Sequence, residues 1–133
     1  MSVNSALLVI DVQLGMFDPG ECVHGTEHFL STLSKLLSRA RAGGVPLVYI
    51  QHCGSEASGL AEGGPGWRIH PAVSPSEGDL LIRKREPDSF HKTEMHSRLQ
   101  ALGMTRLFVT GIATQFCVNT TVRAAYHLGY KVT

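Results

Sequence analysis

Four short apolar runs, separated by longer amphipathic stretches, constrain this chain more than any other feature. ALLVID (Ala6–Asp11), PLVYIQ (Pro46–Gln51), DLLIRK (Asp79–Lys84) and TRLFVT (Thr105–Thr110) read as continuous rather than alternating. A strand with one wet face alternates apolar and polar residues. A run that does not alternate suits a strand covered on both faces, as in a parallel sheet. The stretches between the runs have helical spacing. TEHFLSTLSKLLSRARAGG puts Phe29, Leu30, Leu33, Leu36, Leu37 and Ala40 on one face, and Gly43 follows as a C-cap. TEMHSRLQALG puts Met95, Leu99 and Leu102 on one face, closed by Gly103. Thr114 is placed to N-cap a third helix carrying Val118, Val122 and Ala125, closed by Gly129. YKVT then begins a fifth strand.

Strand–helix–strand alternation predicts right-handed crossovers and helices on both faces of a parallel sheet. The expected fold class is therefore α/β, a three-layer α/β/α domain over residues 1–133, for which a strand order of 3-2-1-4-5 is taken. The segment from His52 to Gly78 breaks the rhythm. It is rich in Gly, Pro and Ser, contains Trp67, and has the character of a lid or binding loop.

Several function classes are disfavoured at this level. A formal net charge of +1 gives no electrostatic case for nucleic acid or an anionic membrane. The apolar run near the N-terminus has no basic flank and is too short to cross a bilayer. Three cysteines, Cys22, Cys53 and Cys117, form no paired spacing, which predicts a reducing, cytoplasmic setting rather than a disulfide framework.

In open parallel sheets, ligands bind beyond the carboxyl ends of the strands. Asp11 ends the first strand, Lys84 ends the third, and Cys117 follows the fourth. In the order 3-2-1-4-5, strands one and four are neighbours, so Asp11 and Cys117 face each other. Lys84 comes from farther out and must reach inward. A cysteine in the first turn of a helix gains from the dipole and the free N–H groups as a thiolate. A nearby carboxylate can take its proton, and a lysine can keep that carboxylate ionised. Backbone N–H groups of the GIATQFC turn are candidates to hold an oxyanion. Taken singly, each residue also has an ordinary reading: a capping Asp, a solvated edge Lys, a core Cys.

ALLVIDVQ with Asp11, LIRKREPDSFHKT with Lys84, and GIATQFCVNTTVRAAYHLGYKV with Cys117 resemble the isochorismatase-like cysteine hydrolases. The likeness extends along essentially the whole chain, including PGWRIHP. It implies that Asp11, Lys84 and Cys117 are the catalytic residues, with a non-proline cis peptide at Ile112–Ala113 serving the oxyanion. It also implies hydrolysis of a small amide or other C–N bond through a thioester, without a cofactor. Gln13, Phe17, His52, Trp67, Phe90 and Phe116 are the candidate pocket residues. Nicotinamidases in the family carry Asp-x-His metal ligands after the second strand, where this chain reads Tyr49, Ile50, Gln51, His52. The Asp is missing, and His24 and His28 are separated by Gly25, so no metal site is expected. Family members continue through further strands and helices beyond the position of Thr133. The chain therefore reads as truncated, with an open sheet edge that favours a homo-oligomer. The alternative function is an inactive family member that binds a ligand or partner through the same pocket.

Overall fold

Five parallel strands run side by side in the order β3-β2-β1-β4-β5. They are β1 (Ser5–Ile10), β2 (Leu47–His52), β3 (Leu80–Lys84), β4 (Arg106–Gly111) and the short β5 (Lys131–Val132). Three helices connect them: α1 (Thr26–Ala42), α2 (Met95–Ala101) and α3 (Asn119–His127). This computed structural model describes residues 4–17, 26–112 and 117–133. The expected α/β/α architecture and strand order are both found.

The sheet explains its own sequence. Every residue of β1 is buried, because this central strand is paired on both edges and covered on both faces. Ala6, Leu8 and Ile10 pack with Val48, Ile50 and Ile82 against Met95 and Leu99 of α2 and Ala125 of α3. Leu7 and Val9 pack with Leu47 and Tyr49 against Leu30, Leu33, Leu37 and Ala40 of α1. Neighbouring residues of β1 thus serve opposite layers, and both layers are apolar, so Ala6–Ile10 runs without a polar residue.

The helix boundaries differ slightly from expectation. The left-handed residue after α1 is Gly44 (φ 74°), not Gly43, which still donates helically to the Arg39 carbonyl. The Val45 N–H reaches back to the Ala40 carbonyl at 2.9 Å, a Schellman closure. α2 and α3 end the same way, through Met104 N–H to Leu99 and Tyr130 N–H to Ala125. The long segment after β2 contains two single 3₁₀ turns, Glu56–Ser58 and Pro71–Val73. It is pinned to the sheet where Gln13 bridges Ile69, and at its exit where Asp79 pairs with Arg41 at 2.8 Å. No helix among the described residues is long and apolar enough to cross a membrane.

Candidate active site

The carboxyl edge of the sheet departs from regular geometry at its centre. Asp11 immediately follows β1. Its N–H still bonds the Ile50 carbonyl at 3.0 Å, but its backbone turns left-handed, with φ 57°. Aspartate tolerates that region better than most side chains. Next to it, Gly111 ends β4 with φ 148°, and a Cβ there would overlap the Ile10 carbonyl oxygen. Glycine is needed for β4 to lie this close to β1 at the site.

Lys84 does reach inward. β3 lies two strands from β1, roughly 10 Å at ordinary strand spacing. The lysine stem crosses the end of β2, and Nζ meets Asp11 Oδ2 at 3.2 Å, with both side chains closed to solvent. Nζ also donates to the carbonyls of Glu86 (3.1 Å) and Pro87 (3.4 Å). His52 Nδ1 stands 3.4 Å from Nζ, because β2 is the strand the lysine crosses. Burial pushes the His52 imidazole below its ordinary range and the adjacent ammonium pushes it further, against weaker opposition from Asp11 and Glu86. A neutral ring can present a lone pair to Lys84; a charged ring would repel it.

Cys117 and Val118 form a π-helical turn leading directly into α3. The half-buried thiol packs against the α2/α3 layer of the core, and Asp11 and Lys84 are the charged side chains that act on it. Its acidity runs opposite to the sequence expectation. Burial raises its pKa above the ordinary 9.0, Asp11 raises it further, and Lys84 opposes only in part. The resting group is therefore a protonated thiol. The other Asp11 oxygen, Oδ1, is buried and has no hydrogen bond of good geometry among the described residues. Among the described residues, Asp11 thus has one oxygen paired with Lys84 and one without a partner.

The remaining expected residues divide. Gln13 is fully buried and is a brace rather than a pocket wall. Its Oε1 accepts the His52 N–H at 2.9 Å, while Nε2 donates to the carbonyls of His52 (3.0 Å) and Trp67 (2.8 Å). Gln51 Nε2 donates to the same Trp67 carbonyl at 3.0 Å, and Arg83 lies over the indole, 4.8 Å from its centroid. Trp67 is thus held at the ends of β1 and β2, as a residue of the loop over the site. Phe17 and Phe90 are partly buried on opposite faces of the sheet, Phe90 in the same layer as Cys117. Phe17 packs edge-on to His70 against the α1 layer, and Phe90 stacks on Tyr130 in the α2/α3 layer. Ile112 is also reassigned. Its N–H donates to the Ile10 carbonyl at 3.0 Å, extending the β1–β4 ladder, so it is not free for an oxyanion. Ala113, with the Ile112–Ala113 peptide, and Phe116 lie outside the described residues, as do Cys22 and His24. Among the described residues no three His, Cys, Asp or Glu side chains gather as metal ligands.

The sequence reading missed the bracing function of Gln13 and the contact of His52 with Lys84. Both follow from β2 lying between β1 and β3, which places its last residues beneath the lysine.

Comparison with known proteins identifies the relatives of this arrangement. The model of the isochorismatase domain matches residues 5–133. A streptothricin hydrolase of Streptomyces noursei is 37% identical over 127 residues, covering 96% of this chain and 46% of the relative. The ureidoacrylate amidohydrolase of Methylobacterium radiotolerans is 30% identical over 161 residues, covering 93% of this chain and 62% of the relative. The chain spans about half the length of the first of these curated relatives. Among solved structures, an isochorismatase from Pseudomonas putida superposes with a TM-score of 0.89 at 32% identity, over 98% of this chain and 67% of that one. An N-carbamoylsarcosine amidase from Thermoplasma acidophilum shares the fold, with a TM-score of 0.86 at 22% identity over 97% and 79% of the two chains.

Proposed function

This chain belongs to the isochorismatase family, and we propose that it is a cysteine-dependent hydrolase of a small amide or other C–N bond. The observation that carries the reading is the buried Asp11–Lys84 pair at 3.2 Å with the Cys117 thiol beside both. Asp11 is the base, Cys117 the nucleophile, and Lys84 the counter-charge that keeps Asp11 ionised away from water. Asp11 Oδ1 takes the thiol proton as sulfur attacks the substrate carbonyl. The C–N bond then breaks, Asp11 returns that proton to the departing nitrogen, and an acyl thioester remains. Water enters, gives a proton to Asp11, and its oxygen displaces the sulfur. Asp11 passes that proton to the departing sulfur, so the acid leaves and both the thiol and the ionised carboxylate are restored.

The resting thiol fits this order of events. A thiolate beside a buried carboxylate is penalised, so the proton leaves sulfur only as charge moves onto substrate. The relatives named for acting on streptothricin and ureidoacrylate support the amide class without fixing the substrate. Ammonia release across a panel of small amides, ureides and carbamoyl compounds tests the reading, with Cys117→Ala as control. Turnover in the wild type, a thioester mass adduct, and loss of both in the alanine variant are expected. Turnover undiminished in Cys117→Ala would end it.

Self-association belongs to the same proposal. Tyr126 on α3 and Leu128 just after it are 73% and 44% exposed, as residues at a contact between copies would be in a lone chain. Sedimentation at micromolar concentration measures it, and a monodisperse monomer would refute it.

A further inference from the structure

Two fully buried hydroxyls near the site take no part in the steps above. Thr121 lies on α3, four residues after Cys117 and so close to the same helical face. Ser89 lies between β3 and α2. The Ser89 N–H donates to Thr121 Oγ1 at 3.0 Å, and the two hydroxyl oxygens are 2.8 Å apart. Thr121 Oγ1 donates to the Pro87 carbonyl at 3.4 Å, and that carbonyl also receives Lys84 Nζ at 3.4 Å. The Ser89 carbonyl accepts the Thr93 hydroxyl at 2.6 Å, and Thr93 Oγ1 accepts the Met95 N–H at the start of α2. With Ser89 donating to Thr121 and Thr121 to Pro87, every hydroxyl proton has an acceptor.

Topology gives this cluster its significance. α3 connects β4 to β5 toward one edge of the sheet, whereas Lys84 arrives from β3 at the other edge. The sheet ladder relates them only through β2 and β1. The Thr121–Pro87–Lys84 chain of contacts bypasses the sheet and joins the helix of the thiol to the ammonium directly. We propose that Thr121, assisted by Ser89, is a positioning residue that holds the Cys117 helix in register with Lys84. The proposal deepens the functional reading above and rests on it for the roles of Lys84 and Cys117.

The test reads the thiol itself. Cys117 alkylation by iodoacetamide is followed by peptide-resolved mass spectrometry across pH in wild type, Thr121→Val, Thr121→Ser and Ser89→Ala, with folding checked by near-ultraviolet dichroism. The titratable groups at the thiol (Asp11 and Lys84, with His52 and Glu86 behind them) are unchanged in every variant. Lys84 favours the thiolate, so its displacement in Thr121→Val is expected to slow Cys117 alkylation at fixed pH roughly tenfold and to move the profile toward higher pH. Thr121→Ser keeps the oxygen and is expected to retain the wild-type profile. Ser89→Ala is expected to move in the same direction as valine, by less. A wild-type profile in folded Thr121→Val overturns the proposal, as does a valine-like profile in Thr121→Ser. If the valine variant does not fold, an unshifted Ser89→Ala overturns it. Alkylation needs no turnover, so a failed amide screen would remove the hydrolase reading and leave this coupling separately decided.

Discussion

At the scale of single residues, two charges out of water set the terms. Lys84 and Asp11 are each other's main compensation, and removing one leaves the other buried and unpaired. Lys84→Met is therefore expected to destabilise the fold by about 3–5 kcal/mol in urea titration. Adding Asp11→Asn to it is expected to recover much of that loss without restoring turnover. A double variant no more stable than Lys84→Met would show that the pair is not the source of the effect. The thiol yields a second expectation. Because burial and Asp11 hold Cys117 above its ordinary 9.0, wild-type Cys117 should alkylate more slowly than a free thiol at neutral pH and accelerate as pH rises past that value. Fast alkylation at pH 7 would contradict a thiol with a raised pKa.

At the scale of elements, the close approach of β1 and β4 is the feature most easily broken. Gly111→Ala would place a methyl group against the Ile10 carbonyl and hold a side chain at φ 148°. A loss of about 1–3 kcal/mol is expected from the strain alone, with turnover reduced because Asp11 directly follows Ile10. Leu37→Ala in α1 is the contrasting case. Leu37 is buried in the layer opposite α2 and α3, so the change should cost about 2–5 kcal/mol. Activity per folded molecule should remain near wild type. Denaturant midpoints paired with rates separate the two, and equal rate losses would mean that the α1 layer also shapes the site.

Over the whole molecule, stability should peak between the ordinary pKa values of its displaced groups. His52 is held neutral by burial and by Lys84, so the unfolded chain binds its proton more readily. Stability contributed by the neutral ring is present above about 6.5 and is lost as pH falls through the lowered folded value. Cys117, Tyr49 and Tyr130 are raised, chiefly by burial, and keep their protons longer folded than unfolded. Their contribution is complete below about pH 9 and is lost as pH climbs through the folded values. Thermal midpoints measured across pH should therefore fall on both sides, and His52→Gln should flatten the acid side. An unchanged acid limb in that variant would assign it to other groups.

The strands, the layers and the positions of Asp11, Lys84 and Cys117 at or beyond strand ends were legible in the chain itself. The unbroken apolar run of ALLVID and the helical periodicity of the α1 stretch record which neighbours each residue must satisfy. Asp11, Lys84 and Cys117 stand out because each follows such a run with chemistry that a core does not require. What only the tertiary structure decided depends on residues far apart in sequence. Gln13 became a brace because the ends of β2 and the Trp67 loop supply its partners. Ile112 lost its availability to a ladder contact with Ile10, and Phe17 and Phe90 went to opposite sides of the sheet. The acidity of the thiol changed sign for the same reason. A helix N-terminus is a local feature that the sequence shows, whereas burial and the proximity of Asp11, which raise the thiol pKa, are set by strands and a helix meeting in the fold.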